Sequence, residues 1–244
     1  MTKILSTVVF ATVIMAIYGC ATSYITPAAG VNISLLTDDD IGDLMKVEPA
    51  GQFPARIAIA RIQASGYESR TNNSYGSGRY SVVTTRDIEE EADFGKMSTL
   101  PMIAGVAPLN RLLLSPRLDS IKDLRLSAAR LKTDMLLIYS VDTAFHVETT
   151  PLGPLSLVTL GMLPNKNAYV SSTISGVLVD VRTGFIYGAA EATEREEQRA
   201  NVWSTQDAID AARIKSEKDS FKSFMLGFEK LWEGIVDQYT TSRN

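Results

Sequence analysis

The tightest constraint on this chain is an apolar stripe near its carboxyl end. Ile214, Phe221, Phe224, Met225, Phe228, Leu231, Trp232, Ile235 and Tyr239 recur at helical spacing, with Lys and Glu on the opposite side. A long helix with so many large side chains along one face has to lie on another layer, and the upstream sequence supplies strands for it. Ala55 to Ile62 follows Pro54 as an apolar run with two arginines, Arg56 and Arg61, five positions apart, and reads as a largely buried strand. Tyr80 to Thr85 is strand-like, and Met102 to Leu114 suits a strand and a turn. Met135 to Val141 is a continuous apolar run of strand length that belongs in the middle of a sheet. Ala168 to Val181 and Phe185 to Ala190 read as two strands joined by Arg182-Thr183-Gly184, where the glycine supplies the positive φ of a tight turn.

Between these strands, Leu118 to Thr133 has Ile121, Leu124, Ala128 and Leu131 at helical spacing, with Asp119 early and Arg130 and Lys132 late, as the helix dipole favours. Thr37-Asp38-Asp39-Asp40 puts capping side chains ahead of Ile41, Leu44 and Met45, a short helix start. Tyr67 to Arg79 is rich in Asn, Ser and Gly and reads as a loop. The expected fold class is therefore α+β (mixed α/β): one sheet covered by helices, with a long amphipathic C-terminal helix.

The amino terminus points to export. Lys3 precedes an apolar stretch from Val8 to Tyr18, interrupted only by Thr12 and followed by Gly19-Cys20. The stretch is shorter than the roughly 20 apolar residues of a membrane span and has the length of a secretory hydrophobic region. The chain's single cysteine, Cys20, has no intramolecular disulfide partner. Ile17-Tyr18-Gly19-Cys20 resembles a lipobox, at which bacterial lipoproteins are acylated on cysteine and cut so that the cysteine becomes the first residue. The resemblance implies a signal peptide over residues 1–19, a lipid-anchored tether over 20–32 and a single globular domain over 33–244. Ala21 stands where an aspartate would resemble an inner-membrane retention signal, so the expected location is the periplasmic face of the outer membrane. The expected membrane contact is the lipid on Cys20; one acyl chain holds a protein only marginally, and two or more hold it firmly.

The charge pattern argues against nucleic acid as a partner. The 24 Lys and Arg face 28 Asp and Glu, for a net charge of −4, and the basic residues are scattered rather than clustered. His146 is the only histidine, which leaves no material for a multi-imidazole metal site or a Ser-His-Asp triad. Carboxylates cluster at Asp38-Asp39-Asp40, at Glu89-Glu90-Glu91, and at Glu191, Glu194, Glu196 and Glu197, where solvated runs are the ordinary reading and an acid–base pair the rarer one. Gly76-Ser77-Gly78 lacks phosphate-loop spacing, and the serines at 171, 172 and 175 lack a nucleophile elbow. No enzyme, cofactor or metal site is expected. The segment 151–164 is strongly apolar and bounded by prolines; Leu155, Leu157, Val158, Leu160, Met162 and Leu163 read either as a patch for a partner or the membrane interface, or as a lid over the core.

The strand ARIAIARIQ, the helix and strand LRLSAARLKTDMLLIYSVDT and the hairpin VLVDVRTGFIYG resemble lipoproteins of the curli-secretion CsgG-like group. They are also similar to the penicillin-binding-protein activator lipoproteins and the amino-terminal domain of TolB. The "D-x-x-T-G" turn of those relatives matches Asp180, Thr183 and Gly184, and their helix-ending acidic step matches Thr133-Asp134. The resemblance implies a sheet backed by helices and a non-catalytic binding or scaffold role in envelope assembly or secretion, with an envelope protein partner or self-association. Residues 67–85 and 143–170 occupy the positions of the pore-forming relatives' membrane hairpins but contain prolines and asparagines, so an adaptor is favoured over a subunit of an oligomeric secretion pore. A carboxylate-dependent envelope hydrolase is the third alternative.

Overall fold

A computed structural model gives the fold and describes residues 39–65, 74–149, 166–200 and 205–241. The chain divides into two units, residues 1–45 and 46–244. Of the first, the described element is α1 (Asp39–Leu44), the short helix that the aspartates ahead of Ile41 predict.

The second unit contains β1 (Ala55–Ala64), β2 (Ser74–Tyr75), β3 (Ser77–Gly78), β4 (Tyr80–Val83), α2 (Glu91–Ser98), β5 (Ile103–Pro108), β6 (Arg117–Leu118), α3 (Ile121–Arg130), β7 (Met135–Thr149), β8 (Lys166–Asp180), β9 (Ile186–Ala200) and α4 (Thr205–Thr241). Seven strands form one mixed sheet in the order β2-β4-β1-β7-β8-β9, with β5 also paired to β1; β3 and β6 form a separate two-stranded ribbon. β1 runs parallel to β5 and β7, whereas β7, β8 and β9 are successive antiparallel neighbours.

Period-2 alternation sends successive side chains to opposite faces. Ala55, Ile57 and Ile59 of β1 join Met135, Leu137, Tyr139 and Val141 of β7 and Ile174 and Leu178 of β8 on one face, beneath Phe221, Phe224, Phe228 and Trp232 of α4. Ala58 and Ala60, Leu136 and Ile138, and Val179 and Val181 face the other way and meet Leu124 and Ala128 of α3. β7 is thus covered on both sides along its first half, which is why that half reads as an unbroken apolar run. α4 approaches closely at Gly176, where a Cβ would stand 2.6 Å from the Phe224 ring and 3.1 Å from Cβ of Tyr139.

The turn after β8 is organised by Asp180, which is fully buried. One carboxylate oxygen accepts the backbone N–H groups of Arg182 (2.8 Å) and Thr183 (3.0 Å). The other accepts the Ala50 N–H (2.7 Å) and the Tyr187 hydroxyl (2.9 Å). Gly184 takes φ +83 as its position requires, and a Cβ there would lie 2.8 Å from the Arg125 guanidinium, which donates to the carbonyls of Val181 and Arg182. Asp134 accepts the N–H of Arg56 at 3.1 Å and donates its own N–H to the Arg56 carbonyl at 2.8 Å. Both acidic positions singled out in the sequence therefore fasten chain segments together.

Four elements run beyond their sequence expectations, and a fifth was not expected. β7 and β8 extend in continuous register to Thr149 and Lys166, and β9 runs through the segment 191–198 to Ala200. α4 begins at Thr205, because its first half rests on the sheet through Ala212, Ser216, Glu217 and Ser220 rather than through large apolar residues. α2 has no apolar periodicity to announce it, and a reciprocal capping box between Glu90 and Asp93 starts it.

Two sets of outcomes follow. Phe224→Ala should lower unfolding free energy by about 3–5 kcal/mol through the cavity it leaves. Gly176→Ala should cost about 1–3 kcal/mol by overpacking, and the double variant with Phe224→Leu should lose less than the sum of its parts in urea titrations, because the sites touch. Asp180→Ala should cost about 2–4 kcal/mol by stranding buried donors. Burial opposes the Asp180 charge, but the bonds from Thr183, Ala50, Tyr187 and Arg182 outweigh it and hold its pKa below the ordinary value. The ionised carboxylate thus stabilises the fold above the unfolded-chain pKa of about 4 and stops doing so as pH falls through the lower folded value. Unfolding followed from pH 6 downward should show an acid loss in the wild type that Asp180→Asn lacks.

Candidate functional site

One edge of β1 is shared by two strands that run toward each other. β5 pairs with its first half and ends with Pro108 opposite Ile59; β4 pairs with its second half and ends with Val83 opposite Arg61. The carboxyl ends of both strands therefore meet at Ala60 and leave a gap in the sheet. A cavity of about 340 Å³ fills it, lined by Arg61, Glu89 and Tyr139, by Thr84 to Arg86 after β4, and by Leu109 to Arg111 after β5. Crevices at the carboxyl ends of strands, where neighbours diverge, are the ordinary ligand sites of open sheets.

Arg61 is the unusual member. Strand alternation places it on the same face as Ile57 and Ile59, so a cation replaces the next apolar side chain under α4, and it is only 3% exposed. Its Nη1 donates to Asp87 at 2.9 Å and to Glu89 at 3.4 Å, and the Tyr139 hydroxyl donates to the same Glu89 oxygen at 2.5 Å. Burial opposes the Arg61 charge, but the neighbouring carboxylates, Glu89 first, outweigh it and hold the guanidinium pKa above its usual value. Burial, and then Glu89, push the Tyr139 phenol well above its ordinary pKa, so it stays a donor. The pairing is incomplete: Arg61 Nε and Nη2 and Glu89 Oε2 are buried without a hydrogen-bond partner among the described residues. Each such orphan costs about 1–3 kcal/mol. At the rim, Arg86 lies over the Phe94 ring, 5.1 Å from its centroid, and 3.7 Å from Glu91.

A second feature is the far edge of the sheet. β9 pairs with β8 alone among the described residues, over a fifteen-residue strand. Its even-numbered residues turn toward α4: Glu194 accepts the Ser223 hydroxyl at 2.7 Å, and Glu196 pairs with Lys215. The odd-numbered residues Glu191, Thr193, Arg195 and Glu197 are exposed on the opposite face. There Ser175 donates to Glu191 at 2.7 Å and Thr173 meets Thr193 at 2.8 Å, a ladder of polar cross-strand pairs. An open cavity of about 560 Å³ lies on this ribbon, lined in part by Ala144, Tyr169, Ser171, Arg195 and Glu197.

Several residues marked in the sequence take roles other than those their pattern suggested. Glu89 is buried in the arginine cluster rather than solvated with Glu90 and Glu91. The four glutamates of the 191–197 segment divide between two faces of one strand and form no single cluster. Ser77 and Gly78 form β3, and Gly76 and Gly78 adopt positive φ. His146 sits in β7 opposite Tyr169 of β8, which in turn stands opposite Glu197 of β9. Cys20 and the patch residues Leu155, Leu157, Val158, Leu160, Met162 and Leu163 lie outside the described residues; the patch belongs to the connection between β7 and β8. Sequence reasoning missed Arg61 as a site residue. The available signal was a cation in phase with Ile57 and Ile59 on a strand too apolar to be half-solvated.

Among the described residues, no group of three or more Asp, Glu, His or Cys side chains could hold a metal ion, and no helix is long and apolar enough to cross a membrane. No family model matches the chain, and no curated protein matches it. Among solved structures it is similar to protein XCC0632 from Xanthomonas campestris, described as DUF330, at 12% identity and a TM-score of 0.37 over 75% of this chain and 88% of that one. It is also similar to the hypothetical protein CT253 from Chlamydia trachomatis, at 9% identity and a TM-score of 0.30 over 75% of this chain and 97% of that one.

Proposed function

We propose that this chain is a lipid-anchored envelope protein, held on the periplasmic face of the outer membrane through Cys20, whose work is to hold a protein partner rather than to turn over a substrate. The observation that carries the reading is the edge of β9 that no described residue pairs with. A strand of fifteen residues is about 50 Å long, and every second residue of an edge strand presents its N–H and C=O groups outward. An extended segment of a partner gains affinity from those groups and specificity from the side chains beside them. Exposed Glu191, Arg195 and Glu197 fit both needs, since edge charges discourage unspecific strand pairing and select a partner of matching charge. The apolar sequence of residues 151–164 offers a second contact, and the lipobox-like sequence at Cys20 supplies the anchor.

A photo-crosslinking amino acid at Thr193 in intact cells tests the edge. It should capture one distinct envelope protein that the same group at Lys230, on the exposed side of α4, does not; recovery of self-links alone would contradict the adaptor. Cys20→Ser should release the chain from membrane fractions or stall its processing, and unchanged membrane association would contradict the anchor.

A further inference from the structure

The guanidinium of Arg61 is only half used. Nη1 carries both ionic contacts, to Asp87 and Glu89, while Nε and Nη2 have no partner among the described residues. The two unused nitrogens are the ones whose N–H bonds lie parallel along one side of the guanidinium plane. That edge is the one that takes both oxygens of a carboxylate or two oxygens of a phosphate. The protein thus buries the cation, neutralises its other end and, among the described residues, gives its most selective edge no partner, at a residue that also lines the cavity.

We propose that the gap between the ends of β4 and β5 is a binding site for a small organic carboxylate, whose two oxygens take the Nε–Nη2 edge of Arg61. An anion is attracted by the guanidinium groups of Arg61, Arg86 and Arg111 at the cavity and its rim, where Asp87 and Glu89 pair with Arg61 and Glu91 with Arg86. The cavity, about 340 Å³, has room for an organic group as well as the carboxylate, and Phe94 and Leu109 in its wall give that group an apolar surface. The Nε and Nη2 atoms are closed to solvent, so binding includes a side-chain shift that opens the way to them; Arg86, whose side chain is 44% exposed, lines the same cavity. This site lies on β1 and is independent of the β9 edge, so the adaptor reading and the carboxylate site stand or fall separately.

The test uses the purified full chain, titrated with benzoate, with its neutral analogue benzamide and with inorganic phosphate, while the Arg61 Nε–H resonance is followed by NMR. Benzoate should bind saturably and shift that resonance, and benzamide should bind at least roughly tenfold more weakly because it lacks the charge that the paired donors select. Arg61→Lys keeps the charge and removes the two-donor edge, and should weaken benzoate by roughly tenfold or more. Should that variant fail to fold, Arg111→Gln at the exposed rim decides, with an expected loss of roughly threefold from the missing field. The proposal is overturned by absence of saturable benzoate binding, by benzamide binding as tightly, by phosphate binding more tightly than benzoate, or by wild-type affinity in the folded variants.

Discussion

The contact between α4 and the β7–β8–β9 ribbon supports everything else in the second unit. A three-stranded antiparallel ribbon is marginal in water unless one face is buried. α4 buries that face: its thirty-seven residues span about 55 Å, against about 50 Å for a fifteen-residue strand. The character of the contact changes along its length. Phe221, Phe224, Phe228 and Trp232 pack on the apolar half of the sheet, and the Trp232 indole N–H donates to the Pro101 carbonyl at 2.7 Å. Toward the helix start, Glu217 accepts the Thr143 hydroxyl at 3.0 Å and pairs with Arg213 at 3.0 Å, and the Ser220 hydroxyl donates to the Ser172 carbonyl at 2.6 Å. The polar half fixes register by hydrogen bonds where the apolar half fixes it by shape.

α4 takes one face of β9 and β8 takes one edge, and among the described residues nothing pairs with the strand's other edge. That is the physical basis of the adaptor reading: an edge ordered before binding avoids part of the conformational entropy that a flexible receptor strand would lose. Arg61 stands at the opposite end of the same logic. It sits in the phase of the apolar face under α4, yet at the place where β1 loses β5 and has not fully gained β4, so its partners come from the loop bearing Asp87 and Glu89. Breaking one member of such a buried group leaves the others uncompensated, which ties the geometry of the gap to the fold.

Most of the architecture was legible wherever one physical signal dominated. The stripe from Phe221 to Tyr239 marks the helix because each large residue has a core position, and Met135 to Val141 marks a central strand because both of its faces are covered. Gly184 marks the turn through its positive φ. Where tertiary contacts override local preference, the pattern fails. The segment around Glu194 is rich in helix-forming Ala and Glu, yet it is a strand because β8 offers it a ladder and α4 covers one of its faces. The first half of α4 is quiet because it docks through Ser216, Glu217 and Ser220, and α2 because a capping box rather than an apolar face defines it. The candidate site was harder still. Arg61, Glu89 and Tyr139 are separated in sequence and come together only through the parallel pairing of β1 with β7, which places Arg61 beside Tyr139.

Amide hydrogen exchange resolved along Ala189 to Glu197 reads the state of the β9 edge without a partner or a variant. An edge paired on one side gives alternating rates, slow where the N–H donates to β8 and fast at every second residue where it faces outward. Uniform protection along the strand would show that the edge is already paired, and the proposed receptor for an extended partner segment would not exist.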